Sequence, residues 1–150
     1  METNENAIEN LNDLIQINND RIAGYERAIE ETEMEDSDLK AIFAQMATES
    51  RQYKQELTAE VLKLGGQTET GTTASGKIYR AWMDIKATFT GNSRKSVLEN
   101  CEFGEDAAQK AYRTALDDDD FPSTSRELVL RQQQALKLSH DKIKMLRDQQ

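Results

Sequence analysis

Cysteine, histidine and proline are almost missing from this chain of 150 residues, which contains one of each. A single cysteine, Cys101, excludes an intrachain disulfide and is typical of a protein in a reducing compartment. We expect its side chain to be a small buried hydrophobe in a helix seam rather than a catalytic thiol. The scarcity of proline, with only seven glycines, is typical of a helical protein.

Basic residues are also in deficit, since 28 acidic residues face 19 lysines and arginines and the net charge is -9. Nucleic acids and anionic membranes bind clustered basic residues, so we expect neither as the main partner. No apolar run approaches the roughly 20 residues that cross a bilayer. The opening METNENAIEN lacks the basic and apolar regions of a signal peptide. These absences predict a cytoplasmic protein without a transmembrane segment.

Motifs of several catalytic classes are absent too. The sequence has no recognisable nucleophilic triad, no phosphate-binding glycine loop and no zinc-type cysteine cluster. It therefore gives no positive support for an enzyme.

Helical periodicity is what the chain does contain. Apolar residues recur at alternating steps of three and four. Gly65 should end the second helix, and Asn92 or Ser93 should cap the third. Thr124 and Glu127 have the spacing of a capping box at the start of the last helix. We predict an all-α fold in one domain, residues 1–150, with long helices over residues 5–32, 37–64, 93–116 and 124–148.

The connector at residues 66–92 is far longer than an up-down turn requires. It contains a predicted short helix at residues 77–89. A helix of about 13 residues rises roughly 20 Å, and about ten extended residues add up to roughly 33 Å. This crossover is long enough to return along the bundle, so the second and third helices can run parallel. The order is then up-down-down-up.

Polar residues interrupt the predicted helix seams. The first seam reads Ile8, Leu11, Ile15, Asn18, Ile22, Tyr25 and Ile29. The last seam reads Val129, Gln133, Leu136, His140 and Ile143. We expect a hydrogen-bond network that fixes helix register, formed by Asn18, Ser50, Gln133, Tyr25, Tyr53 and Tyr112.

Glu105 occupies a seam position in the third helix, between apolar neighbours. A buried carboxylate costs several kcal/mol unless it is paired. A divalent cation would satisfy it, and so would a basic side chain such as Arg113 or Lys137. If Glu105 is structural, we expect Glu105→Leu to be neutral or stabilising.

His140 occupies a seam position in the last helix, where its imidazole can ligate a metal or remain a structural core residue. Counting outward from the turn near residue 120 separates it from Glu105 by roughly 7 Å along the bundle. The two side chains should not be level. Glu102 lies closer to the depth of His140.

The chain resembles ferritin-like four-helix proteins, and within them a small bacterial family known as a domain of unknown function. The resemblance covers nearly the whole chain. It is carried by the short crossover helix with Trp82 and by the segments NDLIQINNDRIAGYERAIEE, ENCEFGEDAAQKAYRTAL and QQQALKLSHDKIKMLRD.

The resemblance also implies where a metal would bind. In metal-bearing members of the superfamily, two helices each supply a glutamate, the other two each supply an ExxH pair, and two irons are held between them. No ExxH pair occurs here, since Lys137 stands three residues before His140 and Gln52 three residues after Glu49. The resemblance then implies at most a degenerate site for iron or manganese, with ligands from Glu26, Glu49, Glu102, Glu105 and His140.

Two functions follow as expectations. The first is a non-enzymatic structural or interaction role, as a homodimer or with another protein, in a stress or envelope-related setting. The second is metal binding for storage or oxidative-stress handling. Residues 77–89 carry an apolar face that we expect to seal one flank or end of the bundle. A homodimer contact through this helix is the next interpretation, and contact with a membrane surface is the less favoured one.

Overall fold

The computed structural model describes residues 2–68, 93–117 and 121–150, with side-chain surroundings from residue 5 onward. The predicted crossover helix at residues 77–89 lies outside the described residues. A 3-10 turn, Met34–Asp36, joins the first two helices. The long helices are α1 (Glu2–Glu31), α2 (Ser37–Lys63), α3 (Arg94–Leu116) and α4 (Ser123–Asp148).

Contacts from α1 determine the direction of its neighbours. Asn18 contacts Tyr112 of α3, and Arg21, one turn later in α1, contacts Glu105, which lies two turns earlier in α3. These two helices are therefore antiparallel. A short connection also makes α1 antiparallel to α2, where Arg21 reaches Ser50.

Contacts of the other pairs complete the topology. Ser125 and Ser139 of α4 donate to Glu60 and Glu49 of α2, in reverse order along the two helices. The first turns of α2 and α3 lie side by side, because Arg94 pairs with Asp38 at 2.7 Å. α2 and α3 are thus parallel, and the predicted up-down-down-up four-helix bundle is confirmed.

The helix ends use local capping chemistry. The Ser93 hydroxyl accepts a hydrogen bond from the backbone N–H of Ser96, as predicted for the start of α3. After α2, Gly65 has a φ of 86°, which favours glycine. The N–H of Gly66 then donates to the Val61 carbonyl and closes the helix end.

The predicted capping box of the last helix is wrong. α4 begins at Ser123, with Pro122 in the N-cap position and no side-chain cap bond. Thr124 therefore lies inside the first turn. Proline is favoured near helix starts because its fixed φ suits the helix and its missing N–H is not needed there.

The same periodicity predicts a seam in α2 and another in α3. The α2 seam is Leu39, Phe43, Met46, Ser50, Tyr53, Leu57, Val61 and Leu64, and all of these are buried except Leu64, which is half-buried beyond the end of the helix. The α3 seam is Leu98, Cys101, Glu105, Ala108, Tyr112 and Ala115, and all six are buried.

The predicted seam of α4 is wrong at two positions. Gln132 and Ser139 are buried, whereas Gln133 and His140 lie on the flank. Val129 and Leu136 lie seven residues apart and both face the core, and we call such residues anchors. The core-facing residue between two anchors can lie either three or four positions after the first. Periodicity alone does not choose between these two paths.

The seam of α1 shows the same ambiguity. Its anchors are Leu11, Asn18 and Tyr25, but Arg21 is buried and Ile22 is only partly so. Hydrophobicity favours Ile22, so the sequence-based interpretation selected the wrong neighbour. A buried arginine is rare unless it has partners, and its partners lie on other helices.

A polar layer crosses the bundle between two apolar clusters. One cluster surrounds Phe43 and Leu98, and the other surrounds Leu57 and Leu136. Buried members of the polar layer include Asn18, Arg21, Ser50, Glu105, Gln132 and Ser139.

Among the described residues, no helix is long and apolar enough to cross a membrane.

Candidate functional site

An ion pair between Arg21 of α1 and Glu105 of α3 lies at the centre of the polar layer. Arg21 Nε donates to Glu105 Oε1 at 2.8 Å. The exposed fractions of the two side chains are 1% and 0%. Desolvation of two opposite charges is costly, so their geometry and additional hydrogen bonds must compensate.

Additional partners on α2 hold the guanidinium. Arg21 Nη1 donates to Ser50 Oγ at 2.8 Å and to the Met46 carbonyl at 3.1 Å. Arg21 Nη2 lies 3.9 Å from Glu49 Oε1, a longer contact with a half-buried carboxylate. The planar guanidinium therefore joins α1, α2 and α3 through its three nitrogen atoms, which a lysine ammonium does not reproduce.

Tyr25 adds a third component to the pair. Its hydroxyl donates a short hydrogen bond to Glu105 Oε1, the same oxygen that receives the Arg21 Nε–H. The Arg21 guanidinium also lies 5.1 Å from the centroid of the Tyr25 ring. Such cation–π contacts stabilise a desolvated cation.

The pKa shifts of this cluster agree with its burial. Burial lowers the pKa of Arg21, but the charges of Glu105, Tyr25 and Glu49 and the hydrogen bond to Glu105 together outweigh burial and raise that pKa above its usual range. Burial, reinforced by Glu105, raises the pKa values of the Tyr25 hydroxyl and the Cys101 thiol well above normal. Cys101 is therefore a neutral buried thiol, whereas reactive cysteines are exposed thiolates.

A second network lies next to the ion pair. Asn18 Nδ2 donates to the Tyr112 hydroxyl at 2.9 Å, and that hydroxyl donates to Gln132 Oε1 at 2.7 Å. Gln132 Nε2 continues the chain to the Tyr53 carbonyl and Glu56. All four helices are linked by this network, in which Gln132 occupies the place predicted for Gln133.

His140 lies at the edge of the bundle between α3 and α4. Its Nε2 is 2.5 Å from Asp106 Oδ1, and its Nδ1 is 3.1 Å from Asp141 Oδ1. Burial lowers the pKa of His140, but the hydrogen bonds to Asp141 and Asp106 raise it overall. The imidazole is thus held by two carboxylates rather than buried in the seam.

Glu102 lies beside His140 and Asp106. One oxygen of each carboxylate and a ring nitrogen of His140 lie within 4.8 Å of one another. Glu102 Oε2 is 2.6 Å from Arg147 Nη1, an ion-pair contact that lacks hydrogen-bond geometry. Glu102 and Asp106 are one turn apart on α3, and His140 faces them from α4.

The structure separates the five residues that the resemblance had implied as one ligand set. Glu102 and His140 approach each other at the bundle edge. Glu105 is instead engaged by Arg21, and Glu49 accepts from Ser139 at 3.1 Å. The fifth residue, Glu26, lies on the outer surface and pairs with Arg51 at 3.3 Å.

Sequence reasoning did not identify Arg21 or Asp106 as site residues. Arg21 had one usable signal, since Leu14 and Ala28 stand seven residues to either side and mark a second apolar stripe of α1. The one sequence signal for Asp106 was its position four residues after Glu102, a spacing that is common on exposed helix faces and does not indicate a site. Its proximity to His140 depends on how α3 and α4 pack.

The comparisons with known proteins decide the family. Residues 6–118 match the family described as a domain of unknown function, DUF2383. The chain belongs to this family. It is also similar to the solved structure of a Dps1 mutant from Mycobacterium smegmatis, with 13% identity, a TM-score of 0.83 and coverage of 97% of both chains. At this identity the likeness shows the fold alone, which is ferritin-like as predicted, and no curated protein matches the chain.

The centre of this DUF2383 member does not fit the paired metal ions of metal-bearing ferritin-like bundles. Glu105 Oε1 already accepts from Arg21 and Tyr25. Glu105 Oε2 is buried without a hydrogen-bond partner among the described atoms, but a dication there would lie beside the guanidinium. Repulsion between two buried cations opposes that arrangement.

The expectation that Glu105→Leu would be neutral or stabilising did not include a buried cationic partner, and the Arg21 contact reverses it. Glu105→Leu should be strongly destabilising. The substitution leaves Arg21 buried without its carboxylate, and breaking a buried pair costs about 3–5 kcal/mol. The double variant Arg21→Met/Glu105→Leu should recover most of that loss because no buried charge remains. Urea unfolding followed by circular dichroism measures both values.

The pair of Arg27 and Glu30, 4.0 Å apart at the surface of α1, is the control. Glu30→Gln should change the free energy of unfolding by less than about 1 kcal/mol because surface pairs contribute little. A Glu105→Leu variant as stable as the wild type would show that this buried pair does not hold the bundle together.

In metal-free protein, His140 should titrate above the ordinary value of 6.5. A raised folded-state pKa means that protonation stabilises the fold below about pH 6.5, and this contribution is lost as pH rises through the folded value. His140 is the only histidine, so its imidazole NMR signals report the titration directly. Asp106→Asn should lower the midpoint, and Glu127→Gln should not. A wild-type midpoint below 6.5 would contradict the carboxylate contacts.

Proposed function

We propose that this protein is a non-enzymatic ferritin-like bundle with a structural or interaction role, in which a buried ion pair stands where related bundles hold metal. The proposal depends on one observation. The Arg21 guanidinium, 1% exposed, is directed at Glu105 and supplies the positive charge that this carboxylate requires. The guanidinium is covalently attached to the chain, so it can neither exchange nor change oxidation state. The centre is therefore suited to a structural role rather than to catalysis.

The alternative is a metal-binding protein that stores iron or manganese or handles oxidative stress. One observation favours it, namely the group formed by Glu102, Asp106 and His140. That group lies at the edge of the bundle, and Asp106 is 62% exposed. It lacks the enclosure in which ferritin-like bundles hold two irons, so we rank this function second.

We further propose a cytoplasmic location and self-association. The lone buried Cys101 is compatible with a reducing compartment. A groove along α1 and α2 includes Ile22 and the exposed Leu62, and is bordered by Glu26 and Lys54. Charges of both signs beside apolar residues make a surface that can complement itself across a two-fold axis.

Metal analysis tests the central ion pair. In His140→Ala, which removes the edge group, we expect no stoichiometric iron or manganese after anaerobic incubation with either ion and desalting. Plasma mass spectrometry of protein without a histidine tag measures the content. Stoichiometric metal that persists in His140→Ala and disappears in Glu105→Gln would overturn the proposal, because it would place the ion at the bundle centre.

Sedimentation velocity tests self-association. We expect the wild type to sediment as a species of twice the chain mass of 17.1 kDa. Leu62→Glu should yield monomers because it places a charge in the apolar groove. Leu130→Glu on α4 is the control and should leave the dimer intact, since Leu130 lies outside the groove. A wild type that stays monomeric at high concentration would exclude the homodimer.

A further inference from the structure

The edge group formed by Glu102, Asp106 and His140 has the features of a built metal site outside the bundle centre. We propose that these three residues bind one divalent transition metal ion of the zinc class and that the ion clips α3 to α4. This inference is independent of the leading proposed function, because it concerns different side chains from the central Arg21–Glu105 pair. It uses the same group as the alternative function, but with one ion that joins two helices in place of stored iron or manganese.

The donor atoms suit such an ion. One imidazole nitrogen and two carboxylate oxygens are borderline ligands of the kind that zinc accepts, whereas magnesium prefers oxygen alone. Zinc bonds of about 2.0–2.1 Å place tetrahedral ligands roughly 3.3 Å apart. The observed donor atoms lie within 4.8 Å of one another. Small side-chain rotations close this difference, and the exposed Asp106 is free of packing that would prevent them.

The imidazole is oriented for this role by a residue outside the group. His140 Nδ1 lies 3.1 Å from Asp141 Oδ1, so Nδ1–H donates to that carboxylate when the ring is neutral. Nε2 then carries the lone pair, and it faces Asp106. Asp141 is itself held by Lys137 at 2.9 Å. Carboxylates that orient metal-binding histidines in this way are common and increase affinity.

Arg147 is the group that competes with the ion. Its Nη1 lies 2.6 Å from Glu102 Oε2, while its Nη2 contacts Asp148 Oδ1 at 2.7 Å. The guanidinium has a second carboxylate to which it can remain bound when Glu102 turns to a metal. Removal of Arg147 should therefore strengthen binding, an effect that a purely structural ion pair does not predict.

Isothermal titration with Zn²⁺ tests the proposal on untagged protein freed of metal by a chelator. The wild type should bind one equivalent, with micromolar or tighter affinity. His140→Ala and Asp106→Asn should each weaken binding at least tenfold, and Asp141→Asn should weaken it by roughly 10–100-fold, the usual cost of losing an orienting carboxylate. Arg147→Gln should bind at least as tightly as the wild type.

Glu127→Gln, which removes an exposed charge from the same helix, is the control and should not alter the affinity. NMR gives an independent readout, because the imidazole signals of the single histidine must shift and saturate at one equivalent. Zinc binding that is unchanged in His140→Ala, or imidazole signals that do not move, would overturn the site. Either result leaves the proposal for the central ion pair standing, because the metal analysis of the bundle centre uses the His140→Ala variant.

Discussion

A buried arginine constrains the rest of this bundle. The guanidinium of Arg21 is almost fully removed from bulk water. Its charge is therefore compensated by Glu105 and by hydrogen bonds to Ser50 and the carbonyl of Met46. The arginine and these partners belong to three different helices. Any sliding of one helix past another would leave a charge unpaired, at a cost of several kcal/mol. The ion pair therefore selects one register among the several that apolar packing alone would permit.

The neighbouring network of Asn18, Tyr112 and Gln132 extends this control to α4. Apolar clusters lie on both sides of the polar layer and supply most of the burial. Leucine-rich contacts tolerate alternative arrangements, whereas directional hydrogen bonds do not. The bundle thus has two apolar ends that stabilise it and a polar middle that determines the register of its helices.

Periodicity predicted the anchors, which repeat every seven residues along each helix. It did not predict which residue between two anchors is buried. Every predicted α3 seam position is buried, including Glu105. In α1 and α4 the same method chose Ile22 and His140, although the seam passes through Arg21 and Ser139. Hydrophobicity favoured the isoleucine, and only the partners on other helices make an arginine stable in the core. A local pattern contains no information about those partners.

Helical periodicity, the capping serine before α3 and the long connector determined the all-α bundle and its parallel middle pair. These features depend on local energetics and chain length, which a sequence displays directly. The tertiary structure alone decided that Glu105 meets a cation from α1 and that His140 meets Asp106 from α3. Side-chain direction around a helix sets those encounters, and one step along the chain turns it by roughly 100°. A difference of one residue was therefore enough to move the histidine from the core to the edge and to place an arginine at the centre.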